Sequence, residues 1–152
     1  MSPKTIPIVW TLILVLGVLV TACGGNLNRQ ESPKYELAAS AELPLDVQSE
    51  PEIVRTAYQF AFTNPDVLTQ LPCYCGCSGM GHTSNYSCYV AGENSDGTLA
   101  FDGHALGCSI CVDITVDAMR MLDEGKPMTE IRSFVDQTYS AFGPSNMPLA
   151  GD

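Results

Sequence analysis

Pro72-Cys73-Tyr74-Cys75-Gly76-Cys77 sets three thiols at alternate positions within five residues, a density that no hydrophobic core requires. In an extended segment alternate side chains share a face, with Cα atoms roughly 6.6–6.8 Å apart. Gly76 lets such a segment curl, so that three sulfurs can converge on one point. Met80, His82 and Cys88 follow, then His104, Cys108 and Cys111. Apart from Cys23, every cysteine and histidine of the chain therefore falls between positions 73 and 111. Gly76, Gly79 and Gly81 read as loop, and helix is not expected to resume after Pro72.

Downstream, residues 78–107 are rich in Gly, Ser, Asn and Asp. Short strands are expected at 86–91 and 98–101, with a turn over 92–97 between them. So little core-forming content is hard to hold by burial alone; cross-links or a metal would supply the constraint. From Ile110 a helical period appears: Ile110, Ile114, Ala118 and Leu122 lie four apart, joined by Met119, with Met121 also assigned to the core or to a partner. Gly125 is the expected C-cap. Pro127 opens a second helix whose buried face is Ile131, Phe134, Val135, Thr138 and Phe142. The short Gly125-Lys126 link makes the two helices an antiparallel hairpin.

Upstream, Ser49 is the expected N-cap of a helix with Pro51 in its first turn and Ile53, Val54, Ala57, Tyr58 and Ala61 on its buried stripe. Asn64-Pro65 stops it, and 66–71 adds one helical turn. Residues 24–50 carry no sustained period and read as a flexible tether with a reach near ~30 Å. Residues 6–22 are an apolar run with Lys4 the only charge before it, as in a signal peptide. Val20-Thr21-Ala22-Cys23-Gly24 resembles a bacterial lipobox, which implies cleavage before Cys23 and its acylation. A plain transmembrane anchor is the competing reading. The expected organisation is a leader (1–22), a lipidated Cys23 and tether (23–49), a domain (50–143) and a disordered tail (144–152). The expected fold is mainly α: a small α-rich domain with an irregular Cys/His-rich loop region, a short β-hairpin and a C-terminal helical hairpin.

The formal net charge is −10. Loss of the leader removes only Lys4, leaving six basic against seventeen acidic residues. Such a surface repels nucleic acid and concentrates cations. Nucleic-acid binding is excluded. Extracytoplasmic placement permits disulfides, and the six cysteines left after Cys23 fit three disulfides or a set of metal thiolates equally well.

Geometry favours a site over staples. Cys-x-Cys pairs close loops too short to gain much entropy. Cys108-x-x-Cys111 sits at a helix start, where the dipole is expected to lower thiol pKa values. Thiolate and imidazole donors suit copper(I) or zinc and disfavour calcium or magnesium. Zinc takes four ligands, and the donors exceed four, which inclines the choice to copper(I) and to more than one ion. The expected ligands are Cys73, Cys75, Cys77, His82, Cys108 and Cys111. Cys88 is assigned a structural role, His104 is left open, and Met80 is assigned to the surface or to filling a gap. Tyr74 and Tyr89 are expected to pack across the loop with hydroxyls at the surface.

These residues carry a resemblance. Pro72 to Cys77 spells the motif of the PCYCGC-motif bacterial lipoproteins. Gly81-His82-x-Ser84-Asn85, Cys88, Cys108-x-x-Cys111-x-Asp113-Ile114, Glu124-Gly125-Lys126, Glu130-Ile131-Arg132 and Asp136-x-x-Tyr139 are similar to that family in the same order, over about residues 64–142. The resemblance implies a small, lipid-anchored extracytoplasmic domain and brings no mechanism. Pro127 departs from it, where a helix-capping serine is more usual.

No phosphate loop, nucleophile elbow or HExxH is present, so hydrolase chemistry has no support. The reading is a lipid-anchored cell-membrane protein on the extracytoplasmic face that binds copper(I) or zinc for storage, delivery or resistance. A metalloprotein or transporter is its expected partner. The alternatives are thiol–disulfide exchange, with Cys108 attacking and Cys111 resolving, and a disulfide-stabilised interaction module without chemistry.

Overall fold

The computed structural model describes residues 34–148. The expected leader, Cys23 and the first part of the expected tether lie outside the described residues, as do 149–152. Among the described residues no helix is long and apolar enough to cross a membrane.

The fold is mainly α, as expected, with α1 at Leu45–Gln48, α2 at Glu52–Thr63, α3 at Pro65–Leu68, α4 at Ser109–Asp123 and α5 at Met128–Tyr139. Between α3 and α4 lie short 3-10 turns and one antiparallel hairpin, β1 at Val90–Glu93 and β2 at Leu99–Phe101. Its register pairs Val90 with Phe101 and Glu93 with Leu99, with an irregularity between Val90 and Gly92. The first strand starts later than expected, because Tyr86–Cys88 form a 3-10 turn instead.

Helix α2 buries Ala57, Tyr58, Phe60 and Ala61. Tyr58 meets Tyr89 edge-on at 4.9 Å, and Phe62 stacks on Phe101 at 6.0 Å, so this helix carries the hairpin. Ile53, expected on the buried stripe, is 51 % exposed. Phe60 takes burial in its place because Tyr35, ahead of the helices, stands edge-on to it at 5.1 Å. Ser49 does not cap α2 either. It ends α1, its hydroxyl donating to the Asp46 carbonyl at 2.8 Å, while Pro51 occupies the α2 N-cap.

Within the described residues, the segment expected as tether is docked. Ala38, Leu43 and Val47 are buried, and Ala38 N–H donates to the Gln59 carbonyl at 3.2 Å. Asn64 Nδ2 and Thr63 Oγ1 each donate to the Glu36 carbonyl at 2.7 Å. Leu43 and Val47, one ahead of a single-turn helix and one on it, are too few to show as a period in sequence.

Helix α4 buries Cys111, Val112, Ile114, Thr115, Ala118, Met119 and Met121. Gly125 ends it in the left-handed region at φ +78°. Gly125 N–H donates to Leu122 and Lys126 N–H to Met121, both at 2.9 Å, a paired closure that glycine makes without steric cost. The Pro127 carbonyl then receives Glu130 N–H and Ile131 N–H. Helix α5 returns antiparallel, with Tyr139 OH donating to Asp117 at 2.7 Å and Arg120 over the Phe134 ring. Its buried line is Ile131, Val135 and Tyr139. The expected face was rotated: Thr138 and Phe142 are exposed and Phe134 is half-buried, because the 131–135–139 row, which ends in the Tyr139 contact with Asp117, is the one turned to α4, and Phe142 lies beyond the helix end.

Candidate metal centre

The motif segment leaves Leu71 and reverses at Gly76, which is left-handed at φ +81° and starts the 3-10 turn Cys77–Met80. The reversal turns the alternate thiols of 73, 75 and 77 toward one volume. Asn146, in what was expected to be a disordered tail, clamps the segment. Its Oδ1 accepts Cys73 N–H at 2.7 Å, its own N–H donates to the Cys73 carbonyl at 3.2 Å, and Nδ2 donates to the His82 carbonyl at 3.3 Å. Tyr74 OH donates to Asp136 at 2.5 Å, tying the same segment to α5.

The second group of thiols comes from α4, where Cys108 is the N-cap residue and Cys111 lies in the first turn. A buried polar network fixes that turn. The Cys111 carbonyl receives Tyr89 OH at 2.9 Å and Asn85 Nδ2 at 3.3 Å, and Thr115 Oγ1 lies 2.8 Å from Tyr89 OH. Tyr89 is fully buried and Tyr74 is 1 % exposed; neither hydroxyl reaches the surface as expected, since each has found a partner inside the domain.

The two groups meet. Cys73 Sγ lies 3.3 Å from Cys75 Sγ and 3.2 Å from Cys111 Sγ, and Cys75 Sγ lies 3.8 Å from Cys111 Sγ. Cys77 Sγ and Cys88 Sγ are 3.9 Å apart. All six described cysteines are free thiols. A disulfide needs sulfurs at ~2.05 Å, whereas two thiolates on one tetrahedral zinc, at ~2.3 Å each, stand about 3.8 Å apart. Four overlapping sets have ligand atoms within 4.8 Å of one another: Cys75, His104, Cys108 and Cys111; Cys77, His82, Cys88 and His104; Cys73, Cys88 and Cys111; and Cys73, Cys75 and Cys77.

Every residue expected as a ligand is therefore at this centre, and two more join it. Cys88, assigned a structural role, contributes its thiol to the cluster. His104, left open, places Nε2 3.3 Å from Cys75 Sγ. The spacing His104-x3-Cys108-x2-Cys111 was the available signal for it, three donors on successive turns into a helix. Met80 stays out on the surface at 62 % exposure.

Asp102 had no signal in the sequence. Its Oδ2 lies 3.5 Å from His82 Nε2, and its Oδ1 accepts His104 N–H at 2.7 Å. Tyr58 OH holds the Asp102 carbonyl at 2.7 Å. His82 is buried and its Nδ1 has no hydrogen-bond partner. A carboxylate on one ring nitrogen and an unpartnered second nitrogen is the arrangement of a metal-ligating histidine.

The thiols are not electrostatically alike. Hydrogen bonding from Cys111, then from Cys88, holds the Cys73 thiol far below the ordinary thiol range. Cys111 is pushed up by its hydrogen bond to Cys73, opposite to the lowering expected from the helix dipole, because a donor to a neighbouring thiolate keeps its own proton. Burial pushes Cys75 and Cys77 up. A cation among these sulfurs would take over the role of those protons. The Cys/His groups can hold a metal ion.

A family model described as "Protein of unknown function with PCYCGC motif" matches residues 12–149. No curated protein and no solved structure matches the chain.

Proposed function

The chain belongs to the PCYCGC-motif family, and we propose that this member is a lipid-anchored protein of the outer face of the cell membrane that binds a soft metal ion. Copper(I) is the preferred ion and zinc the second, held for storage, delivery or resistance. The observation that carries this reading is the convergence of six free thiols and two imidazoles from four separate segments on one centre. Structural staples would join as disulfides, and a lone redox pair would not recruit four further thiols. Sulfur-rich donor sets select copper(I) and zinc over hard cations, and the acidic surface raises the local concentration of any cation. The lipobox-like Val20-Thr21-Ala22-Cys23 supports the anchor.

The test is metal analysis of the full-length chain, purified in detergent under argon and offered copper(I) or zinc. Retention of copper(I) against a chelator, with loss of titratable thiols, is the expected result. Thiol–disulfide exchange is the second reading, favoured by the half-buried Cys108 beside the buried Cys111. It requires metal-free protein that cycles a 108–111 disulfide at a measurable potential.

A further inference from the structure

The donors fall into two subsites of different accessibility, not one pool. The set Cys75, His104, Cys108 and Cys111 has three half-buried members, whereas Cys77, His82 and Cys88 are all buried. Cys73 belongs to both of the remaining sets, and each joins one outer donor to one inner donor: Cys111 with Cys88, and Cys75 with Cys77. His104 stands in the outer and inner sets alike, and the His82 and His104 rings meet edge-on at 5.1 Å. One four-coordinate ion uses four ligands, which leaves half of these eight donors without a partner, Nδ1 of buried His82 among them.

From this partition we infer that the centre holds two copper(I) ions, an accessible one on Cys75, Cys108, Cys111 and His104 and a sequestered one on Cys77, Cys88 and His82, with the Cys73 sulfur between them as the bridge. The inference rests on the soft-metal reading and adds the number of ions and their unequal exchange. Copper stays copper(I) throughout; each thiol that becomes a ligand gives its proton to solvent, so no oxidant or reductant takes part. An arriving ion meets the half-buried outer donors first. It reaches the inner set by exchanging one thiolate for another through Cys73, without release to water. The outer ion is then the one available to a partner, and the inner ion is the one retained.

The experiment uses the full-length chain in detergent under argon, loaded with copper(I) supplied as its acetonitrile complex. Native mass spectrometry reads the stoichiometry, and bathocuproine disulfonate reads the removal kinetics. Two ions per chain are expected, leaving in two phases at least tenfold apart in rate. C108S should keep one ion and lose the fast phase, and C88S should keep one ion and lose the slow phase. Since Cys88 is fully buried, the wild-type stoichiometry and kinetics stand as a readout that needs no variant. One ion per chain overturns this inference and leaves the soft-metal reading standing. No copper retained overturns both, and two ions leaving in a single phase overturns the division by access.

Discussion

Cys73 and Cys111, 38 positions apart in sequence, bring their sulfurs to 3.2 Å. That contact joins the motif loop to α4 and makes one centre of two donor groups. Replacing Cys73 with serine should therefore hurt binding more than replacing Cys108, which belongs to only one of the donor sets. Copper(I) affinity should fall by about 100-fold or more in C73S, beyond the loss usual for a supporting residue. Competition against a chromophoric chelator measures it.

Asp102 acts through His82 and so has a separate signature. D102N keeps the volume and an acceptor for His104 N–H but removes the charge facing His82 Nε2. Affinity should drop roughly 10–100-fold while the number of titratable thiols in the metal-free protein stays the same. Thiol titration beside chelator competition separates this from unfolding.

The Asn146 clamp can be tested without touching a sulfur. A Cβ at Gly143 would lie 2.8 Å from the Tyr74 carbonyl oxygen, so G143A should push the C-terminal segment off the motif loop. A loss of about 1–3 kcal/mol is expected, the range for overpacking. N146A should cost a similar ~1–3 kcal/mol by leaving Cys73 N–H unsatisfied. Urea unfolding of metal-free protein checks both.

Two pH effects follow from the shifted groups. Cys75, Cys77 and Cys111 hold their protons to higher pH than ordinary thiols, so copper(I) must displace protons that are still bound at neutral pH. Affinity should fall as pH falls, about tenfold per pH unit for each proton released, which calorimetry in buffers of different ionisation enthalpy will count.

At the alkaline end, burial and then the hydrogen bond to Asp136 raise the Tyr74 pKa to about 12. The folded state holds that proton when the unfolded chain has begun to lose it. The contribution is complete below the unfolded pKa near 10 and disappears as pH rises toward 12. Y74F should flatten that part of the stability profile.

How much of this was legible in the sequence depended on whether the signal was local. The α4–α5 hairpin was readable because Gly125 and Pro127 mark its turn and the apolar period runs for several turns on both sides. The docking of 34–48 was not, since Leu43 and Val47 make a single i, i+4 pair whose meaning depends on Tyr35 and Phe60 meeting across the fold. The grouping of Cys73, Cys75, Cys77, Cys108 and Cys111 was legible from thiol spacing, and that of His82 from its nearness to Cys77 in sequence. Cys88 was assigned a structural role, because a donor alone on a 3-10 turn has no neighbour in sequence to declare another; His104 was left open although Cys108 and Cys111 follow it closely. Asp102 and Asn146 were invisible for a stronger reason. They act only through contacts that exist after the chain has closed, and neither residue type is unusual in a loop.

The central claim, that sulfurs from 73–77 and 108–111 serve one soft-metal centre, is tested most directly by copper K-edge X-ray absorption on the copper(I)-loaded full-length chain. The account predicts a first shell dominated by sulfur at about 2.3 Å, with fewer sulfurs in both C73S and C111S. A shell of nitrogen and oxygen at about 2.0–2.1 Å, or a sulfur shell unchanged by both substitutions, would contradict it.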